Sequence, residues 1–353
     1  MYMRKMFFAL LLSLLAAAPA IPLSGADWRV VRQFQQKHFG RVIPPGNYSG
    51  IALMGDDVYA MVSDKSDSTL LFNVRLYVSR QTGELLQAEY LGASGRADGC
   101  GLDNEAVVRV TDSTLVVASE GMCRLKEYFV DPGRIAPQGT LWEWSMPKDN
   151  FWPNYAFESL AFDSVRGRLW TISESTMRRD GKPATTQDPH QNVLRLLSFD
   201  WNNRSVQPMA YLYRMDMPTT MKSADTYVMG VSELCALPDG SLLVLEREAF
   251  VPKLKLGAFC QCKLFVVDPS AAKPYPFERT VEAGAPFVEK RLLAKWTTKL
   301  SLLNQSWANY EGMCLGPTLD NGDLVLLLVS DSQDGYGGVL RDWFKTIVLR
   351  RGE

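Results

Sequence analysis

The apolar positions of this chain fall in short runs between turn residues, and one arrangement of runs recurs five times. Each copy opens with Gly or Glu, continues as an apolar strand, turns at charged or Gly residues and returns as a second apolar strand. The second strand ends in an acidic residue or an acid-Arg pair. The copies open at Gly50, Glu105, Glu158, Glu233 and Glu311. Short apolar runs bounded by turn signals are typical of strands, so each copy predicts a β-hairpin.

The second strand of each predicted hairpin is apolar on both faces. These strands cover residues 58–62, 115–118, 169–172, 242–245 and 324–328. Such runs are expected where a strand lies between neighbouring sheets. Further apolar strands follow most hairpins, and no long stretch after the N-terminal segment has helical periodicity.

Regular internal repetition predicts an all-β fold, a single β-propeller of five or six blades. A sixth blade is expected either from the Met209–Tyr213 region or from the two termini together. Thr346–Arg350 is predicted to pair with an N-terminal strand, so that the N- and C-terminal strands close the propeller and leave no loose edge. The alternative is a two-sheet sandwich.

The N-terminus has the pattern of an export signal. Two basic residues precede the apolar run Met6–Ala18, and small residues follow it. We therefore predict a signal peptide over residues 1–26, a single domain over 27–353, and a secreted or periplasmic protein. A membrane-anchoring helix is the alternative, but the run is short for a span. No other segment is long and apolar enough, so stable membrane insertion is not expected.

Composition and charge add few restrictions. The 353 residues are 46% hydrophobic and 22% charged, which is ample for a core, and the net charge is -1. No global field therefore favours nucleic acid or an anionic membrane, and any charge effect must be local. A monomer that binds no nucleic acid is expected.

Six cysteines fit an oxidising compartment. Cys100 and Cys123 flank the second hairpin, so they are the best candidates for a disulfide. Cys260 and Cys262 lie on the same face if their segment is a strand. A zinc site is the alternative, although the spacing of a four-cysteine site is missing.

The opening and closing residues of each copy are neighbours, because the two ends of a hairpin lie side by side. A propeller gathers such positions at one mouth of its central channel. The acids at these positions are Asp64, Glu105, Glu120, Glu158, Glu174, Glu233, Glu246, Glu311 and Asp331. The mutual repulsion of so many carboxylates must be offset by cations, basic side chains or protons. Hard oxygen ligands in this number suit Ca²⁺ better than Mg²⁺, which demands strict octahedral geometry. Alternatively, each acid caps backbone amides or pairs with a basic side chain.

Other catalytic machinery is poorly supported. The chain has two histidines, and neither belongs to a repeated position, so a Ser-His-Asp arrangement is not predicted. It also has no Gly-x-Ser-x-Gly elbow and no P-loop.

The short sequence motifs around the opening residues resemble those of the family called esterase-like activity of phytase. They are Ser49–Ile51, Asp103–Ala106, Asn154–Ala161 and Asn309–Gly312, with the closures at 63–64, 173–174, 246–247 and 330–331. The similarity covers roughly residues 45–350. It implies a β-propeller, export and, by analogy with propeller phytases, Ca²⁺-dependent phosphoester chemistry. The usual Glu-Gly opening is altered at Glu105, Glu158 and Glu233.

Two functional hypotheses follow. In the first, the protein is a Ca²⁺-assisted hydrolase of a small phosphorylated or ester substrate. Its candidate catalytic residues are Glu158, Glu311, Arg247 and Lys65. Arg247 and Lys65 are expected to hold phosphate oxygens, and one carboxylate would act as general base. In the second, the mouth of a non-catalytic propeller binds a ligand or a protein, and the cations are structural.

Overall fold

The computed structural model describes residues 27–66, 69–96, 102–131, 133, 135–300, 305–336 and 340–352. The predicted signal peptide and Cys100, one half of the predicted disulfide, lie outside these residues. The described chain is all-β, with twenty strands and three short 3₁₀ helices at Lys148–Asn150, Pro269–Ala271 and Gln333–Tyr336. It has no helix long and apolar enough to cross a bilayer.

The strands form five antiparallel sheets of four strands each. Sheet I comprises β2 (Tyr48–Gly55), β3 (Val58–Ser63), β4 (Thr69–Val78) and β5 (Leu85–Arg96). Sheet II comprises β6 (Asn104–Thr111), β7 (Thr114–Ser119), β8 (Arg124–Asp131) and β9 (Ala136–Ser145). Sheet III comprises β10 (Ala161–Asp163), β11 (Arg168–Ile172), β12 (Val193–Asp200) and β13 (Met209–Arg214).

Sheet IV comprises β14 (Thr226–Ala236), β15 (Leu242–Val251), β16 (Phe259–Val267) and β17 (Lys290–Lys299). Sheet V comprises β18 (Asn309–Thr318), β19 (Leu324–Asp331), β20 (Phe344–Arg351) and the N-terminal strand β1 (Trp28–Gln33). Trp28 pairs with Arg351 and Val30 with Leu349, so the termini close one sheet, as the sequence predicted. Met209–Arg214, one candidate for a sixth blade, is instead the outer strand of sheet III.

The first strands of the five sheets contact one another in cyclic order, and β18 returns to β2. This is the arrangement of a propeller around a central axis. The first strands approach closely at two glycines: a Cβ atom added to Gly50 would lie 2.8 Å from the Cα atom of Ala106. One added to Gly312 would lie 3.1 Å from the backbone of Gly50. A side chain has no room at these positions, which must therefore remain small.

The second strands supply the core. β3 and β7 are buried along their whole length, as expected from strands that are apolar on both faces. Between sheets II and III, Trp144 packs edge-on against Phe199 with ring centroids 4.9 Å apart. Each fully buried large apolar side chain contributes about 1.5–3 kcal/mol, so the packed sheets hold the inner strands rigidly around the axis.

The five described cysteines, Cys123, Cys235, Cys260, Cys262 and Cys314, are free thiols. Cys260 and Cys262 lie on one face of β16, as predicted, and both are fully buried. Mutual hydrogen bonding and burial raise the pKa of the Cys260 thiol. Buried thiols of this kind pack as small apolar side chains.

Candidate functional site

A β-bulge opens the first hairpin of sheets I, II, IV and V and sets which side chain faces the mouth. In sheet III the isolated bridge Phe157–Ser173 is one residue out of register with the ladder that begins at Ala161. Pairing shifts by one residue between Asn104 and Ala106 in sheet II, and between Tyr310 and Gly312 in sheet V. The extra residue is therefore Glu105 in one sheet and Glu311 in the other. A bulge leaves its extra residue outside the ladder and redirects its side chain.

The same register identifies the equivalent positions in all five sheets. The residues at the bulge are Ser49, Glu105, Ser232 and Glu311, and the equivalent residue of sheet III is Glu158, which follows the isolated bridge Phe157–Ser173. Those that follow the closing pair are Asp64, Glu120, Glu174, Arg247 and Asp331. Sheet IV thus presents Ser232 and Arg247 where sheets II and III each present two acids.

Glu105, Glu120 and Glu158 form a compact group that we call the carboxylate triad. One carboxylate oxygen from each lies within 4.8 Å of the others. The three residues are 6%, 8% and 6% exposed. Glu120 accepts a 2.7 Å hydrogen bond from the amide of Ala156. Within the described chain, the carboxylates of Glu105 and Glu158 accept no hydrogen bond.

A second group shares one member with the triad. Oxygen atoms of Asp64, Asp103 and Glu105 also lie within 4.8 Å of one another. Asp103 was not among the predicted ligands, although it lies two residues before the opening residue Glu105. Its positive φ of 50° turns the chain just before β6, a conformation that Asp tolerates better than most residues. An acid before a bulged glutamate is the sequence signal that identifies it.

Burial and mutual repulsion raise the pKa values of this region. Burial, and then the charge of Glu174, raises the pKa of Glu120 to about 8. Burial, followed by the charges of Glu311 and other nearby acids, raises the pKa of Glu105. Burial, followed by the charge of Glu105, raises the pKa of Glu158. The raised pKa values favour the protonated form of these carboxyls, and a bound cation would replace those protons. A divalent ion coordinated by hard oxygens fits this donor set.

Arg247 neutralises the other side of the mouth. Its two terminal nitrogens donate to Glu174 and Glu311, and one also donates to the amide oxygen of Asn309 at 2.9 Å. The guanidinium is 5% exposed, and its Nε atom has no acceptor among the described residues. We call this set the arginine clamp. It links sheets III, IV and V through one buried charge.

Two further predicted residues lie at the edge of the mouth. Lys65 is about half exposed and pairs with Asp64. Asp331 accepts a 2.8 Å hydrogen bond from the amide of Gln333. Burial, followed by the charge of Asp64, raises the pKa of Asp331 to about 7.

Glu233 and Glu246 do not join the other predicted ligands. Glu233 lies one residue past the bulge, at the position of Gly50 and Gly312, and accepts 2.9 Å hydrogen bonds from the amides of Leu160 and Leu234. Glu246 lies one residue before Arg247 and accepts from the hydroxyl of Tyr213 at 2.7 Å and from Lys290. Because strand side chains alternate between faces, a one-residue difference in register sends both carboxylates elsewhere.

The fold and the site define an all-β protein of the propeller type with a buried acidic mouth at one end of its axis. The chain belongs to the phytase-like family, described as esterase-like activity of phytase, whose model matches residues 43–333. This match confirms the family resemblance predicted from the repeated sequence motifs. No curated protein matches the sequence.

Several solved structures are similar over most of their length. Regucalcin from Agrobacterium tumefaciens, a calcium-binding protein, is 11% identical with a TM-score of 0.38, over 87% of this chain and 92% of that one. The periplasmic gluconolactonase of Pseudomonas aeruginosa is 11% identical with a TM-score of 0.32, over 70% and 88%. The PQQ-bound aldose sugar dehydrogenase from Streptomyces coelicolor is 9% identical with a TM-score of 0.38, over 94% and 100%. At these scores, no activity is assigned to this chain from them.

Proposed function

We propose that this protein is a Ca²⁺-dependent hydrolase of small phosphorylated or ester substrates. The observation that carries the proposal is the carboxylate triad: three buried acids converge, and two of them have no hydrogen-bond donor within the described chain. A buried carboxylate without a donor or a cation is costly, so the group is best stabilised with a bound ion.

The donor set favours calcium over smaller ions. Ca²⁺ accepts six to eight oxygens in irregular geometry, whereas Mg²⁺ requires a regular octahedron. Glu105 belongs to both acidic groups, so we propose two cation positions that share its carboxylate. A bound cation of this kind supplies positive charge to a phosphate and acidifies a coordinated water.

The remaining residues bind and orient the substrate. Lys65 is exposed at the rim and would attract an anionic group. Arg247 already bonds two carboxylates, so a phosphate must replace one of these contacts before Arg247 can hold it. Of the two candidate bases, Glu158 lacks a donor within the described chain, whereas Glu311 is bound to Arg247. Glu158 is therefore the candidate base that is not held in an ion pair, and a bound cation would keep it deprotonated.

Turnover of a generic phosphoester, measured with Ca²⁺ and with chelator, tests this function. We expect activity that the chelator removes and that Glu158→Gln and Glu311→Gln abolish. Glu246→Gln is the matched control, because its carboxylate is bound away from the mouth. If Ca²⁺ raises the melting temperature but no substrate is turned over, the mouth is a binding site with structural cations. If Ca²⁺ changes neither quantity, both the metal and the hydrolase are excluded.

We further propose that residues 27–353 act as one five-bladed domain and that residues 1–26 direct export. The five sheets contain every described strand, and the termini meet in sheet V. Mass spectrometry of the protein recovered after expression tests the cleavage site. An uncut N-terminus would contradict the export signal.

A further inference from the structure

The hairpin that joins β15 to β16 ends in an exposed apolar tip. Its sequence, Pro252–Gly257, alternates lysine with leucine. Leu254 is 81% exposed and Leu256 is 80% exposed. They are the two most exposed large apolar side chains in the described chain. Exposed leucines placed side by side mark a surface that contacts another apolar phase.

The tip is ordered by its own backbone. The amide of Lys255 donates to the carbonyl of Pro252 at 2.7 Å, and Lys255 and Gly257 have positive φ angles of 60° and 83°. Beneath the turn, the rings of Phe250 and Phe259 stack with centroids 5.3 Å apart. The leucines are thus presented by a hydrogen-bonded turn at the end of a paired hairpin.

Three lysines lie on the tip or on the segments next to it, and one acid, Asp225, lies in the adjoining loop. Lys222, Lys253 and Lys299 are exposed and form no ion pair within the described chain. Lys299 pairs with Phe259 at the base of the hairpin. The adjoining loop, which ends at Asp225, is held to the hairpin by a 2.8 Å hydrogen bond from the Asp225 amide to Val251. That loop also exposes Met221 (69% exposed) next to Lys222.

The tip projects from the same end of the molecule as the acidic mouth. β15 runs past Arg247 for four more residues before the turn, which is about 13 Å at the usual strand rise. The turn at Asp239–Gly240, at the other end of the β14–β15 hairpin, faces the opposite end of the axis. A surface that contacts the tip therefore faces the mouth.

We propose that this tip docks the protein on a bilayer that contains anionic phospholipids. A hairpin tip with two exposed leucines matches shallow insertion at the boundary between headgroups and acyl chains. The lysines on the tip and next to it match the negative potential of such a surface. A stable protein interface needs a broad complementary patch, which a narrow turn does not offer. The proposal does not depend on the hydrolase, because docking requires none of the mouth residues.

Co-sedimentation with vesicles tests the proposal. The protein recovered after expression and its variants are mixed with phosphatidylcholine vesicles, with or without phosphatidylserine, in the presence of chelator. Mass spectrometry confirms that all samples have the same N-terminus, so differences between variants report on the tip. Leu254→Ser/Leu256→Ser removes the apolar pair. Val165→Ser is the matched control, because Val165 is 71% exposed in the β10–β11 turn at the opposite end.

We expect the double leucine variant to partition onto the anionic vesicles about tenfold or more weakly than the parent protein. Val165→Ser should leave partitioning unchanged, and all three proteins should melt at the same temperature. Lys222→Gln/Lys253→Gln/Lys299→Gln should lose the preference for phosphatidylserine. Equal partitioning of the parent and the double leucine variant would overturn the proposal. So would self-association of the parent protein, seen by light scattering and abolished by the same double variant, because it would assign the tip to a second copy.

Discussion

Sheets II and IV have the same β-bulge in their first hairpin but place side chains of opposite charge at the mouth. Both open with a bulge and close with a residue directed at the mouth. Sheet II places Glu105 and Glu120 at these positions, whereas sheet IV places Ser232 and Arg247 there. One side of the mouth is therefore neutralised from within by Arg247, and the other side is left with acids that repel one another.

This contrast shows where an external cation is needed. In the arginine clamp, Glu174 and Glu311 each have a guanidinium partner. In the carboxylate triad, the described donors amount to one amide, that of Ala156. A buried charge without a counter-charge raises the free energy of the folded state, so the triad is where binding of a cation stabilises the protein most.

Removal of the clamp should have the largest effect. Arg247→Met leaves the buried carboxylates of Glu174 and Glu311 uncompensated, which should lower the free energy of unfolding by about 3–5 kcal/mol. Arg109→Met is the control, because the pair of Arg109 with Asp112 lies at the other end and the aspartate is fully solvated. Arg109→Met should lower the free energy of unfolding by less than about 1 kcal/mol. Urea unfolding measures both, and equal losses would refute the role of the clamp.

Calcium should stabilise the triad by a smaller amount. At a free concentration one hundred times the dissociation constant, the expected gain is about 2.7 kcal/mol. Thermal unfolding with and without Ca²⁺ measures it. The gain should vanish in Glu158→Gln and persist in Glu246→Gln. If the two variants respond alike, the triad does not hold the ion.

Without a cation, stability should depend on pH in the direction opposite to ordinary carboxylates. The folded-state pKa values of Glu120 (about 8) and Asp331 (about 7) are raised, so their stabilising protons are fully bound below the unfolded pKa values near 4. This stability is lost as the pH rises through 7 and 8. The slope is about 1.4 kcal/mol per pH unit for each proton that differs between the states.

Denaturant unfolding in chelator at a series of pH values between 5 and 8 measures this slope. Ca²⁺ should flatten it, because the ion replaces the protons. A slope of the opposite sign in chelator would show that the acids are charged and paired in the folded protein.

The exposed Lys65 should matter least for stability. Its ion pair with Asp64 is at the rim, where such pairs contribute less than about 1 kcal/mol. Lys65→Gln should therefore leave unfolding almost unchanged while raising the KM for an anionic substrate. An unchanged KM would remove Lys65 from the binding machinery.

The sequence predicted the repeated hairpins, the closure by both termini and most of the acidic mouth. These features follow from local periodicity and from the neighbouring ends of a hairpin. It did not predict the register of sheet IV, because Ser232-Glu233 and Glu246-Arg247 each offer two adjacent candidates for one position. Only the strand pairing shows that Glu233 occupies the position of Gly50 and Gly312, one residue past the bulge.

The first copy illustrates the same point. The sequence predicted Gly50 as the opening residue of this copy. In the structure Ser49 is the bulged residue, and the backbone of sheet II and Gly312 of sheet V lie close to Gly50. Close packing around an axis is a property of the assembled ring, so no single repeat reveals it.

Calorimetric titration of chelator-treated protein with Ca²⁺ at pH 7, repeated in two buffers of different ionisation enthalpy, tests the carboxylate triad most directly. The account predicts saturable binding with release of protons, since the buried carboxyls must lose them to become ligands. Glu105→Gln should remove both signals, because Glu105 belongs to both acidic groups. Absence of binding, or binding with no proton release that persists in Glu105→Gln, would contradict it.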